Sequence, residues 1–158
     1  MQMAMEQQRT PQSQIQSQVP PQSIEFDELL CRAEDCFVFR RLSPGQILWR
    51  EGDVGEMLAL ILAGKVVCRR AAGDIGHPFI LSLLGAGAIL GESGLLDSLR
   101  RQETVEVREP TLLATISKSG FNRLRRGNPD LAAGLLQLVL KQTCHRLQGS
   151  ISRMAKLF

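Results

Sequence analysis

Long apolar runs are missing from this chain: no stretch approaches the roughly 18 residues of a membrane span, because Arg, Lys or Gly interrupts each candidate. The first 23 residues are polar and carry no apolar core of the kind a secretory signal needs. Neither a membrane protein nor a secreted one is expected. Histidine is scarce, with two in the chain. His77 precedes Pro78 in a predicted loop, and His145 lies on a basic helix. No Ser/His/Asp or Cys/His set accompanies them, so no enzyme is expected. The four cysteines, Cys31, Cys36, Cys68 and Cys144, match no zinc or redox spacing. Cys31 and Cys36 alone are too few ligands for an iron–sulfur cluster. No metal or cofactor is expected, and reduced thiols in a cytoplasmic chain are.

What is present suits one globular domain: 158 residues and 17.5 kDa, 44% hydrophobic and 22% charged. The net charge of +3 is unevenly spread. Residues 1–99 carry 8 Lys+Arg against 12 Asp+Glu, and residues 100–158 carry 11 against 4. The basic half suits an anionic partner or a solvated helix face.

Three segments can be distinguished. Residues 1–23 interleave glutamine with Ser and Pro, a composition with too little apolar surface to offset ordering entropy, and read as a disordered tail. Residues 24–127 open on a short helix, with Ile24, Phe26, Leu29 and Leu30 on one face. They continue as short apolar runs cut by glycine. Cys36–Phe39, Gln46–Trp49, Met57–Leu62, Val66–Arg69, Phe79–Leu84 and Thr104–Val107 read as strands, and frequent turns between short strands suggest a small antiparallel barrel. A short helix over Lys118–Arg126 closes this part. Residues 128–158 read as one long helix, with Asn128 as N-cap and Pro129 at its first position. Thirty residues span about 45 Å, against a radius of gyration of about 14 Å for a globule this size. Part of the helix must therefore project. Leu140, Cys144, Leu147, Ile151, Met154 and Phe158 follow a 4, 3, 4, 3, 4 spacing, an a/d seam that suits a homodimeric coiled coil.

The most informative stretch is Gly91-Glu92-Ser93-Gly94-Leu95-Leu96, followed past a polar loop by Arg101-Gln102-Glu103-Thr104-Val105. Gly91 lets the backbone approach a ligand closely. A short helix from Ser93 would aim N–H groups at a phosphate, and Arg101 could pair with it through a charge-assisted contact. Glu92 is an acceptor suited to sugar hydroxyls. Taken one by one, these features equally describe a tight turn and two surface charges.

Their order resembles that of the cyclic nucleotide-binding domain family. Pro44-Gly45, Glu51-Gly52-Asp53, Ile61-Leu62-Ala63-Gly64-Lys65-Val66, Ile80 to Leu84 leading to Gly87, Gly91-Glu92 and Arg101 fall in its sequence of elements. Asn128-Pro129-Asp130 and Arg146-Leu147-Gln148 are most similar to the effector domain of bacterial catabolite activator (cAMP receptor) proteins. The resemblance covers roughly residues 29 to 158. It implies a mainly β fold with flanking helices: a jelly-roll β-barrel (a double-stranded β-helix), a short helix and a long C-terminal dimerisation helix. It also implies that Glu92 accepts a hydrogen bond from the ribose 2'-hydroxyl and that Arg101 neutralises the cyclic phosphate. Backbone groups from Gly91 to Ser93 and around Gln102 complete the phosphate shell, and Ser150 stands where a hydroxyl contacts adenine. Two positions depart from the pattern. Ile151 replaces a second hydroxyl, and Glu103 stands where a small residue is usual, so that its carboxylate either points away or competes for Arg101.

The expected function is thus a cyclic nucleotide sensor, for cAMP first, signalling by rearrangement of its C-terminal helix to an unidentified downstream protein. Direct DNA binding is not expected, since no helix-turn-helix is readable before Phe158. The alternatives are a ligand-free dimerising scaffold and the effector part of a truncated DNA-binding regulator.

Overall fold

A computed structural model describes residues 24–71, 76–96 and 99–157. The predicted disordered tail and Phe158 of the predicted seam lie outside the described residues. The chain runs α1 (Ile24–Arg32), a 3-10 turn (Glu34–Cys36), β1 (Val38–Leu42), β2 (Ile47–Trp49), β3 (Met57–Arg70), β4 (Phe79–Gly85) and β5 (Ile89–Leu90). A second 3-10 turn (Glu92–Leu95), β6 (Thr104–Ser117), α2 (Lys118–Gly127) and α3 (Pro129–Ala155) complete it.

All six strands pair antiparallel in one sheet of order β1-β6-β3-β4, with β2 added to β6 and β5 to β3. The fold is the expected mainly β jelly roll with helices, although the hydrogen-bonded path begins at β1 and ends at β4 without closing into a ring. The two long strands, β3 and β6, form its spine. Strand alternation gives each of them two apolar faces. Leu58, Leu60, Ala114 and Ile116 face the helices, packing on Phe26, Leu29, Leu124, Ala132 and Leu135. Ala59, Ile61, Val66, Cys68, Val105, Val107 and Leu113 face the interior of the roll, together with Trp49 and Leu90.

The expected strand–turn–strand around Gly64 is instead one continuous 14-residue strand, bent by register shifts at Ile61/Ala63, Ala63/Lys65 and Lys65/Val66. Gly64 is what permits this. Its φ is +89°, and a Cβ there would stand 2.2 Å from the Pro110 carbonyl oxygen of β6. The strand expected at Thr104–Val107 likewise runs on to Ser117, because β3 provides a partner along its whole length. Cys36, expected in the first strand, belongs to the 3-10 turn before it.

The helix ends follow local chemistry. The Ser117 hydroxyl caps α2 by accepting from the Gly120 N–H at 3.0 Å, and Asn128 Oδ1 caps α3 by accepting from the Leu131 N–H at 3.2 Å. At 27 residues, α3 spans about 40 Å. Its buried residues are Ala132, Leu135 and Leu138, all in the first half. Beyond them Leu140, Cys144, Leu147, Ile151 and Met154 are exposed. No described helix is long and apolar enough to cross a membrane.

Gly64→Ala is expected to lower stability by about 3 kcal/mol, from backbone strain at positive φ and the clash with Pro110 together. A chemical denaturation curve checks this, and an unchanged midpoint would refute the assignment.

Candidate functional site

The site is built around Arg101. Its backbone is clamped by the Glu51–Gly52–Asp53 turn: Gly52 N–H donates to the Arg101 carbonyl, and Arg101 N–H to the Asp53 carbonyl, each at 2.8 Å. The turn is itself fixed by Asp53 Oδ2 accepting from the Arg50 N–H at 2.9 Å. Held this way, the side chain points inward and is only 4% exposed. Nη2 donates to the Met57 carbonyl at 2.7 Å and Nη1 to the Gly91 carbonyl at 3.2 Å. The guanidinium carbon lies 3.8 Å from the ring centre of Trp49, a cation–π stack. Two buried N–H groups, Arg101 Nε and Trp49 Nε1, have no hydrogen-bond partner. Burial lowers the pKa of Arg101, while Asp53 and Glu103 act to raise it. A buried cation held by carbonyls and a ring, with a donor unused, is only partly compensated and is prepared to receive an anion.

Gly91 forms the wall of this cradle. It adopts φ +74°, and a Cβ would come within 2.5 Å of Arg101 Nη1 and 2.6 Å of the Trp49 ring. The chain then enters the 3-10 turn Glu92–Leu95, which carries Glu92 and Ser93 and packs Gly94 on β3, where a Cβ would stand 2.1 Å from the Met57 carbonyl oxygen. The first N–H groups of such a turn are not used by the turn itself.

The long helix α3 crosses the other side. Gln142 makes a reciprocal pair with the strand: its amide nitrogen donates to the Gly87 carbonyl at 2.7 Å, and its oxygen accepts from the Ile89 N–H at 2.8 Å. One turn on, Arg146 Nη1 donates to the Ile89 carbonyl at 2.7 Å, and the same side chain is ion-paired with Glu92. Glu92 also accepts from the Thr143 hydroxyl at 3.4 Å. Burial lowers the pKa of Arg146 as well.

Of the residues predicted from sequence, Gly91, Glu92, Ser93 and Arg101 are thus brought into one cradle. Gln102 is exposed, its side chain donating to the Arg100 carbonyl at 3.2 Å. Ser150 spends its hydroxyl within α3, donating to the Arg146 carbonyl at 2.9 Å and accepting from Arg153 at 3.1 Å. Of the two alternatives for Glu103, the structure takes the inward one. The carboxyl is half-buried, within hydrogen-bonding reach of the Cys68 thiol and in the field of Arg101. Sequence reading missed Trp49 and Gln142 and gave Arg146 no contact. The single tryptophan in an apolar strand, and an arginine one turn before Ser150, were the available signals. A cavity of about 340 Å³ lies elsewhere, between α1 and α3, lined by Glu28, Leu29, Leu131, Gln137 and Lys141 among others. It contains none of these groups.

Residues 39–128 match the cyclic nucleotide-binding domain family. The chain belongs to this family. Among curated relatives, it is 34% identical over 105 residues to the cyclic AMP receptor protein of Thermus thermophilus, covering 65% of this chain and 48% of that protein. It is 42% identical over 81 residues to a cAMP-dependent protein kinase regulatory subunit of Eremothecium gossypii, covering 51% of this chain and 16% of that one. The chain therefore spans half or less of the length of these relatives. Among solved structures, the Thermus thermophilus catabolite activator protein superposes with a TM-score of 0.67 at 29% identity, over 82% of this chain and 59% of that one. A cyclic nucleotide-binding domain from Methylobacillus flagellatus superposes with a TM-score of 0.76 at 24% identity, over 92% and 81%. In this cyclic nucleotide-binding domain the family match begins on β1 and ends at the N-cap of α3. The α3 contacts to Glu92 and Ile89 thus come from a helix outside the matched segment.

Proposed function

We propose that this domain is a cyclic nucleotide sensor, with cAMP as its first candidate ligand. The observation that carries the reading is Arg101, a buried guanidinium with an unused N–H beside the glycine wall at Gly91. In this reading the cyclic phosphate takes Arg101 as its counter-charge, with backbone N–H groups of the Gly91–Ser93 stretch completing the shell. The ribose 2'-hydroxyl donates to Glu92. That contact competes with Arg146 for the same carboxylate, so ligand in the cradle loosens the tie between α3 and the roll. The effect is a shift between two positions of α3, limited by the difference in ligand affinity for them. Binding and release involve no bond making or breaking, so the domain acts as a regulator rather than an enzyme, and its output goes to a protein partner.

The second half of α3 supports a homodimer. Leu140 is 63% exposed, Leu147 59%, Ile151 52% and Met154 55%, in the spacing of one coiled-coil seam. A second copy of the helix buries this stripe most simply.

At about -0.3 kcal/mol per atom, a cyclic nucleotide of about 22 heavy atoms binds with Kd on the order of 10 μM. Calorimetry with cAMP and cGMP should show saturable binding that Arg101→Ala weakens about ten- to a hundred-fold, corresponding to the loss of one charge-assisted contact. Equal affinities in a folded variant would remove Arg101 from the site. Sedimentation velocity should give a dimer for the intact chain and a monomer for Leu147→Asp/Ile151→Asp. A monomeric parent chain would contradict the seam.

A further inference from the structure

Glu103 has no part in the binding scheme above, yet it stands on the same inner face as Arg101. It immediately precedes β6, and period-2 alternation places it in line with Val105 and Val107, both buried in the interior of the roll. Its half-buried carboxyl reaches the Cys68 thiol of β3. Cys68 pairs in register with Ser82 of β4, whose hydroxyl also reaches the thiol. Arg101 feels the charges of Asp53 and Glu103. From α3, Arg146 acts on the same cluster through Cys68. The titratable groups facing Glu103 are therefore Cys68 from β3 and Arg101 from its own segment, with Arg146 from α3 and Asp53 from the β2–β3 turn one group removed.

We propose, on the reading that the cradle binds a cyclic nucleotide, that Glu103 is an internal competitor for Arg101 which sets the affinity of the site and couples binding to uptake of a proton. A phosphate using Arg101 brings a second anion beside a carboxylate inside the roll. Two like charges at such range cannot both stay ionised without cost. The carboxylate takes a proton from solvent as the ligand enters and returns it when the ligand leaves. Burial alone already holds the Glu103 carboxyl above its ordinary range, with Cys68 and Arg101 opposing that shift. A neighbouring phosphate raises it further. Affinity therefore falls as pH rises through the Glu103 titration, by at most about ten-fold per pH unit for a single proton. Cys68, pushed up to about 12 chiefly by burial, stays a thiol throughout. It is a hydrogen-bond donor to Glu103 rather than a second charge.

The test is calorimetry of cAMP and cGMP binding to the wild type, Glu103→Gln and Glu103→Ala between pH 6 and 8, in two buffers of different ionisation heat. Both variants should bind about ten-fold more tightly than wild type at the alkaline end. Their affinities should be flat with pH, and proton uptake should be confined to the wild type. Equal affinities and flat profiles for all three proteins would overturn the competitor role and leave the nucleotide-binding function standing. Absence of binding in all three would overturn both. A ligand-independent measurement separates the two further. Because the folded-state value of Glu103 is raised, its stabilising contribution is full below the unfolded value and is lost as pH rises through the folded one. The wild type should lose stability relative to Glu103→Gln over that window. Parallel pH–stability curves would also overturn the proposal.

Discussion

A guanidinium has been placed inside an apolar roll, and much of the local architecture exists to make that tolerable. Moving a charge out of water costs several kcal/mol even after relaxation. Arg101 recovers part of this from two backbone carbonyls and the face of Trp49. Each of those partners imposes its own requirement. The Met57 carbonyl must be presented at the start of β3, close enough to the 3-10 turn that only glycine serves at position 94. The Gly91 carbonyl must be turned inward, which needs a left-handed residue with no side chain in the path of Arg101. The Glu51–Gly52–Asp53 turn fixes the arginine backbone from the opposite side. The family's glycines are thus distributed according to the arginine's geometry, and the unused Nε marks the direction in which compensation is incomplete.

The order of motifs along the chain was enough to read the fold class, the two C-terminal helices with the Asn128 cap, and the group Gly91, Glu92, Ser93 and Arg101. These are properties of local sequence: caps, glycine at positive φ, and alternation. What was not legible depends on partners far away in sequence. The continuity of β3 through Gly64 is decided by β6, roughly fifty residues later, since nothing in Ala63-Gly64-Lys65 distinguishes a bent strand from a hairpin turn. The length of β6 past Val107 was hidden for the same reason, with Glu109-Pro110 reading as a break. The inward direction of Glu103 follows from its phase relative to Val105 and Val107, which can be counted only once the strand is known to begin there. The pairing of Gln142 with Gly87 and Ile89 joins residues more than fifty positions apart and leaves no local trace.

The long helix links these local features to an output. Its first half belongs to the core through Ala132, Leu135 and Leu138. Its middle is tied by polar contacts from Gln142 and Arg146 to the strand and turn that form the cradle. Its last turns carry an apolar stripe outward. Polar ties of this kind, half-buried and exchangeable, are weaker than the apolar packing on either side. They are where a change at Glu92 can be transmitted without unfolding the domain.

The central claim is that Arg101 is the ligand's anchor, and the molecule contains its own reporter for it. Trp49 is the only tryptophan in the chain and lies 3.8 Å from the Arg101 guanidinium. Titration with cAMP, following tryptophan emission, should give a saturable change with the same midpoint as calorimetry, because a phosphate drawing on Arg101 alters the cation over the ring. Saturable binding by calorimetry with unaltered Trp49 emission would place the ligand elsewhere and contradict the account.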